Sequence, residues 1–177
     1  MKYNVLSLLL MITACARHDD RPESGASGAL IPDVQVSRAS ATIAAGPLVP
    51  GRTFGQTFIS GGNGLTKVEV LIATYTKTIP QGVLLIRLRS GPDQTEDLAQ
   101  VSVPAASVKD NSYVALEFPP IRNSAGKTYY ILIEARGIPP DYAFTVWRSD
   151  TDVYSHGSFY IDGRAQPQDI CFRTFVR

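Results

Sequence analysis

A chain of 177 residues is one domain's worth once an export segment and a tether are set aside, and that is enough to bury a real core. Lys and Arg number 17 against 16 Asp and Glu, and removal of the export segment takes away only Lys2, so the remainder balances at 16 against 16. Nothing in that balance marks nucleic acid or an acidic surface as a partner.

The chain opens with Met1-Lys2-Tyr3-Asn4, a short positively charged start, followed by an apolar stretch from Val5 to Ile12 and the closing residues Ile12-Thr13-Ala14-Cys15. The apolar run is much shorter than the roughly 20 residues a bilayer crossing needs, so it is a signal peptide over 1–14 rather than a spanning helix. Its last four residues resemble the bacterial lipobox. That resemblance implies a diacylglyceryl group on the Cys15 thiol, cleavage before Cys15 and acylation of the new amino terminus by a fatty acid such as palmitate. Each buried methylene contributes about 0.8 kcal/mol, so two or three chains hold a protein on a membrane where one is marginal. Ala16, rather than Asp, follows Cys15. By the sorting rule of enteric-type lipoproteins this implies the outer membrane.

Residues 15–29 read as a flexible tether, because Arg17, His18, Asp19, Asp20, Arg21, Pro22 and Glu23 lead into Ser-Gly-Ala-Ser-Gly without apolar periodicity. With Cys15 lipidated, Cys171 is left as a single thiol in the apolar run Ile170-Cys171-Phe172. No His lies near it in sequence to activate it, and a buried small hydrophobe is the expected state.

From residue 30 to 177 the chain reads as short β runs separated by turn residues. Thr53 to Phe58 alternates, Gly61-Gly62-Asn63-Gly64 turns, and Leu65 to Tyr75 follows. In Val83 to Arg89 the residues Leu84, Ile86 and Leu88 share one face, while Val83, Leu85, Arg87 and Arg89 share the other, as in a half-buried strand. Tyr113 to Phe118, Thr128 to Ala135, Tyr142 to Arg148, Val153 to Ile161 and Ile170 to Val176 repeat the pattern, with weaker runs near Val34 and Leu98. Nine or ten strands at this spacing, without a helical stripe between them, predict an all-β antiparallel β-sandwich.

Two stretches narrow this to a jelly roll. Asn111 to Ala135, with Phe-Pro-Pro-Ile, a Ser-Ala-Gly-Lys turn and Thr-Tyr-Tyr-Ile-Leu-Ile, is similar to the middle of bacterial extracellular sandwiches of the galactose-binding-like type. Gly51 to Phe58 followed by Leu65 to Val70 is similar to their opening. The resemblance spans about Val49 to Val176 and implies a carbohydrate-binding-module-like domain.

Chemistry is sparse. Nucleophilic catalysis needs a base such as His against Ser, Cys or Thr, and the domain has only His156, in Tyr154-Ser155-His156-Gly157. The chain cannot assemble the common zinc sets. Glu96 with Asp97, or Asp150 with Asp152, could serve a glycosidase, but all sit beside turn residues where Asp caps its own backbone. The same acidic loops offer oxygens to a structural Ca²⁺; no cofactor is expected. Aromatic residues are the better clue. Trp147 shares a strand face with Ala143 and Thr145 while Tyr142, Phe144 and Val146 take the more apolar one, so Trp147 is expected to point outward. Trp147 and Tyr154 would stack on a sugar while Arg148, Asp150 and Asp152 hydrogen-bond its hydroxyls. The expected function is a non-enzymatic, lipid-anchored envelope protein binding a carbohydrate or another envelope protein. A structural or assembly subunit is the second class and a glycoside hydrolase the third.

Overall fold

A computed structural model describes residues 28–177 of the chain. The expected signal peptide over 1–14, the expected lipid site at Cys15 and most of the expected tether over 15–29 lie outside the described residues. Within them, twelve strands form two packed antiparallel sheets, with one short 3-10 turn at Ala105–Ser107. The strands are β1 (Ile31–Val36), β2 (Ile43–Ala44), β3 (Thr53–Ile59), β4 (Leu65–Ala73), β5 (Val83–Arg89) and β6 (Ala99–Pro104). They continue with β7 (Ser112–Ile121), β8 (Thr128–Arg136), β9 (Thr145–Arg148), β10 (Phe159–Ile161), β11 (Arg164–Gln166) and β12 (Phe172–Val176).

In the first sheet β4 is central. Its one edge carries β7 along its whole length, and its other edge carries β12 as far as Val70 and then β9 at Ile72 and Ala73. Beyond β12 lies β1, paired from Ile31 opposite Val176 to Val36 opposite Phe172, and beyond β9 lies β2. The second sheet runs β11-β10-β3-β8-β5-β6. Without β2 and β9 to β11, the sheets read β1-β12-β4-β7 and β3-β8-β5-β6. The chain changes sheet at every step between these eight strands except the β5–β6 hairpin, which is the double Greek-key winding of a jelly roll.

Period-2 alternation decides which residues fill the space between the sheets. Leu84, Ile86 and Leu88 are fully buried, while Arg87 and Arg89 point outward and meet Asp97 and Glu134. Phe58 on β3 and Phe172 on β12 meet across the interior with ring centroids 5.8 Å apart, and Phe58 also lies 5.7 Å from Tyr129 on β8. Phe54 and Phe159 pair at 5.5 Å. A chain of aromatic contacts therefore joins the two sheets.

Three expectations shift at their ends. The run to Tyr75 stops at Ala73, because Tyr75 and Thr76 both adopt left-handed backbone, with φ of 53° and 62°. Tyr142 to Arg148 is strand only from Thr145, its first residues being held in the turn that donates Tyr142 N–H to the Pro139 carbonyl. Val153 to Ile161 is strand only from Phe159, since the amides of Val153 and Tyr154 go to the Asp169 carboxylate instead of a neighbouring strand. Two short strands, β2 and β11, are additional to those expected.

Candidate functional site

The outward face of the first sheet, where β4 ends, collects the site. Thr74 follows β4, and its N–H and hydroxyl both donate to Asp110 Oδ1, at 2.6 and 3.3 Å. Asp110 Oδ2 accepts from the side-chain amide of Asn111 at 2.9 Å, and Asn111 Oδ1 accepts from the Trp147 indole N–H at 2.7 Å. One relay of bonds therefore ties the end of β4, the turn before β7 and the middle of β9.

Trp147 stands outward because its neighbour Val146 is fully buried and alternation sends the two to opposite faces. Its ring is half-buried. The Arg38 guanidinium lies 3.6 Å from the indole centroid, a cation–π contact, and is itself held by donating to the Ala41 carbonyl at 2.8 Å. Indole orientation is thus fixed in plane by Asn111 and from one side by Arg38.

Trp147 lines a cavity of about 270 Å³ together with Ala44, Ala73, Tyr75, Asp110 and Asn111. Four non-glycine residues of the described chain have positive φ, and three of them, Tyr75, Thr76 and Asn111, line this cavity. Asn tolerates left-handed backbone, but an aromatic and a β-branched residue there are outliers that cost about 1–3 kcal/mol each and persist only where the surroundings impose them. Strain of this kind clusters at ligand clamps.

A larger cleft of about 420 Å³ opens beside β7 and β8, walled by Leu98, Phe118, Ile121 and Tyr129. Ser90, Lys127 and Thr128 supply polar groups to its lining beside the Tyr129 ring. The smaller cavity is set apart by its braced indole and by its left-handed backbone.

The other residues singled out in the sequence have different neighbours. Tyr154 is half-buried: its hydroxyl lies 3.1 Å from the Ile59 nitrogen and 3.3 Å from the Ile59 carbonyl, and its ring meets Phe172 edge-on at 6.0 Å. Burial raises its phenol pKa above the ordinary tyrosine value. Arg148, on the side of β9 opposite Trp147, donates to the Ser149 carbonyl at 2.9 Å. Asp150 is exposed, and Asp152, also exposed, accepts the Tyr154 N–H at 3.1 Å in an Asx turn. His156 is exposed and its Nδ1 lies 3.2 Å from Ser155 Oγ. Trp147 is therefore the member of the expected set that lines the cavity; Tyr154 and Asp152 belong to the loop between β9 and β10. Among the described residues no group of three or more His, Cys, Asp or Glu is placed to hold a metal ion.

Cys171 is fully buried, with its sulfur 3.3 Å from the Tyr113 hydroxyl. Burial pushes its thiol pKa up against the opposing pull of Tyr113, Arg38 and Arg173. The Tyr113 phenol is itself pushed up to about 12, chiefly by burial, and its ring carries the Arg173 guanidinium at 3.6 Å.

Tyr75, Asp110, Asn111 and Arg38 were not legible as site residues. Asp110-Asn111 reads locally as a turn, and nothing in its composition shows that Asn111 reaches an indole 36 positions away. No protein-family model matches the chain, and comparison with curated proteins finds no match.

Proposed function

We propose that this chain is a lipid-anchored envelope protein, attached through Cys15, whose jelly-roll domain binds carbohydrate without transforming it, at the cavity lined by Trp147. The observation that carries this is the mounting of Trp147: an outward indole held on two sides beside a small cavity with an amide, a carboxylate and a second exposed ring. Aromatic faces stack on the apolar face of a sugar while nearby polar groups take its hydroxyls. Binding rather than hydrolysis fits the lining. Glycoside hydrolysis uses two carboxyl groups about 5–9.5 Å apart, and Asp110 is the one carboxylate lining the cavity, with both oxygens already accepting from Thr74 and Asn111.

The chain has a single tryptophan, so its emission reports this cavity alone. Titration of the full chain in detergent with envelope glycans should shift that emission, and Trp147→Ala should abolish binding on a glycan array. The same variant should unfold with a stability loss below the roughly 3–5 kcal/mol of a core aromatic truncation. A loss of that full size would make Trp147 a packing residue and remove the site.

A further inference from the structure

The cavity at Trp147 has a neighbour. A second cavity, of about 330 Å³, is lined by residues that include Pro47, Thr74, Lys77, Asp141 and Tyr142, and Tyr75 lines both. No other residue is shared by the two linings. Tyr75 is 44% exposed, and its left-handed backbone, followed by that of Thr76, places it at this common wall. The position is held from below: Thr74 is bonded to Asp110, the Lys77 N–H donates to the Thr74 carbonyl at 3.1 Å, and the Thr76 hydroxyl donates to the Tyr75 carbonyl at 2.6 Å.

The second cavity repeats the make-up of the first. Tyr142 supplies a half-buried ring, the Lys77 ammonium lies 5.6 Å from that ring's centroid, and the same ammonium donates to the Asp141 carbonyl at 3.1 Å. A ring braced by a cation, with a carboxylate-bearing residue beside it, thus occurs twice, on the two sides of Tyr75. Cavities that bury a whole ligand begin at roughly 300 Å³. The first, at about 270 Å³, falls short of that by itself, whereas the pair is well inside the range.

We propose that the two cavities are adjoining subsites for an oligosaccharide of at least two sugar units, with Trp147 carrying one unit, Tyr142 the next, and Tyr75 standing at the junction. The proposal rests on the carbohydrate reading given above and adds the length of the ligand. Two ring-and-polar sets in series match successive sugar units of one chain, since each unit presents an apolar face and a rim of hydroxyls.

The test uses the full chain in detergent and a glycan array carrying matched mono-, di- and trisaccharides of each envelope series, followed by titration of Trp147 emission with the series that binds. The disaccharide should bind at least tenfold more tightly than its own monosaccharide. Tyr142→Ala and, separately, the exposed-site variant Lys77→Ala should remove most of that gain while leaving monosaccharide affinity unchanged. Lys77→Ala guards against a Tyr142 variant that merely misfolds, since the lysine side chain contributes little to the interior. Equal affinity for mono- and disaccharide, or variants that weaken both alike, would overturn the second subsite and leave the first standing. Failure of every saccharide to bind would overturn the carbohydrate reading, and this proposal with it.

Discussion

Asp169 is a carboxylate taken wholly out of water, and its surroundings show how such a group is kept. Gln56, also fully buried, donates to its Oδ1 at 2.8 Å, and the amides of Val153 and Tyr154 donate to Oδ2 at 3.0 and 2.9 Å. Burial nonetheless dominates and raises its pKa above the ordinary aspartate value, with those three bonds pulling the other way. A group whose folded pKa is raised binds its proton more tightly folded than unfolded. Its contribution to stability is therefore greatest below the ordinary aspartate range and declines as pH climbs through the raised value. Asp169→Asn should flatten that part of the Tm-versus-pH curve. It should also cost about 1–3 kcal/mol at neutral pH, because an amide has one acceptor oxygen where the carboxylate has two, so that either Gln56 or the two backbone N–H groups lose their partner; denaturant melts from acid to neutral pH measure both. Thr76 gives the opposite sign. Its left-handed backbone is one that glycine adopts freely, so Thr76→Gly should raise stability by about 1 kcal/mol, visible as a higher melting temperature.

Among the elements, the β10–β11 hairpin depends on two residues. Asp162 and Gly163, with φ of 50° and 76°, join Ile161 to Arg164, and Asn-Gly or Asp-Gly with positive φ at both positions is the preferred two-residue hairpin turn. Asp162 also fastens the hairpin to β3: its Oδ1 accepts the Thr53 N–H at 2.8 Å and its own N–H donates to the Thr53 carbonyl at 3.0 Å. Gly163→Ala should cost about 1–2 kcal/mol, and its signature should be local, with faster amide exchange in Tyr160 to Gln166 and little change in β5 or β8. That Asp-Gly pair was a legible signal for β11, whereas β2 was not legible, because two residues carry no period. Strands such as β5 and β8 were readable almost to the residue, since alternation there reports one buried face. The Val153 to Ile161 run misled because Val153 and Tyr154 have strand-forming side chains while their amides are claimed by Asp169, fifteen or more positions away. Several outer strands also carry proline, Pro32 in β1, Pro104 in β6 and Pro119-Pro120 in β7. These remove donors from the edges and discourage pairing with a second chain.

For the molecule as a whole, the jelly-roll winding pairs strands that are far apart in sequence, β1 with β12 above all. The outward direction of Trp147 was legible from alternation. Its companions were not, because the site is assembled by a winding that brings the segments after β1, β4 and β6 together with β9. Cys171 lies under that assembly, fully buried, with its thiol made less acidic by burial. A thiol reagent should therefore label it at the rate of unfolding, slowly in the native protein and at once in denaturant; fast native labelling would mean that this face opens locally. On the proposed anchoring, Cys15→Ser should move the protein from the detergent phase to the aqueous phase in Triton X-114, and unchanged partitioning would remove the lipid.

The pairing of β1 with β12 has a mechanical meaning on that anchoring. Ile31, where the tether would enter, is opposite Val176, which is opposite Leu65 at the start of β4, whereas the Trp147 cavity sits at the far end of β4 near Ala73. Nine residues of strand separate the two ends by roughly 26 Å. A glycan held in the cavity and a lipid held in the membrane would therefore pull on opposite ends of one sheet, along the strands. Such a load shears the β1–β12 ladder, so its hydrogen bonds must fail together, where a load across the strands would open them one at a time. Single-molecule extension from Cys15 against a residue beside the cavity should need a higher rupture force than extension between two residues at the Leu65 end, and the tether would transmit tension without peeling the strand to which it is joined.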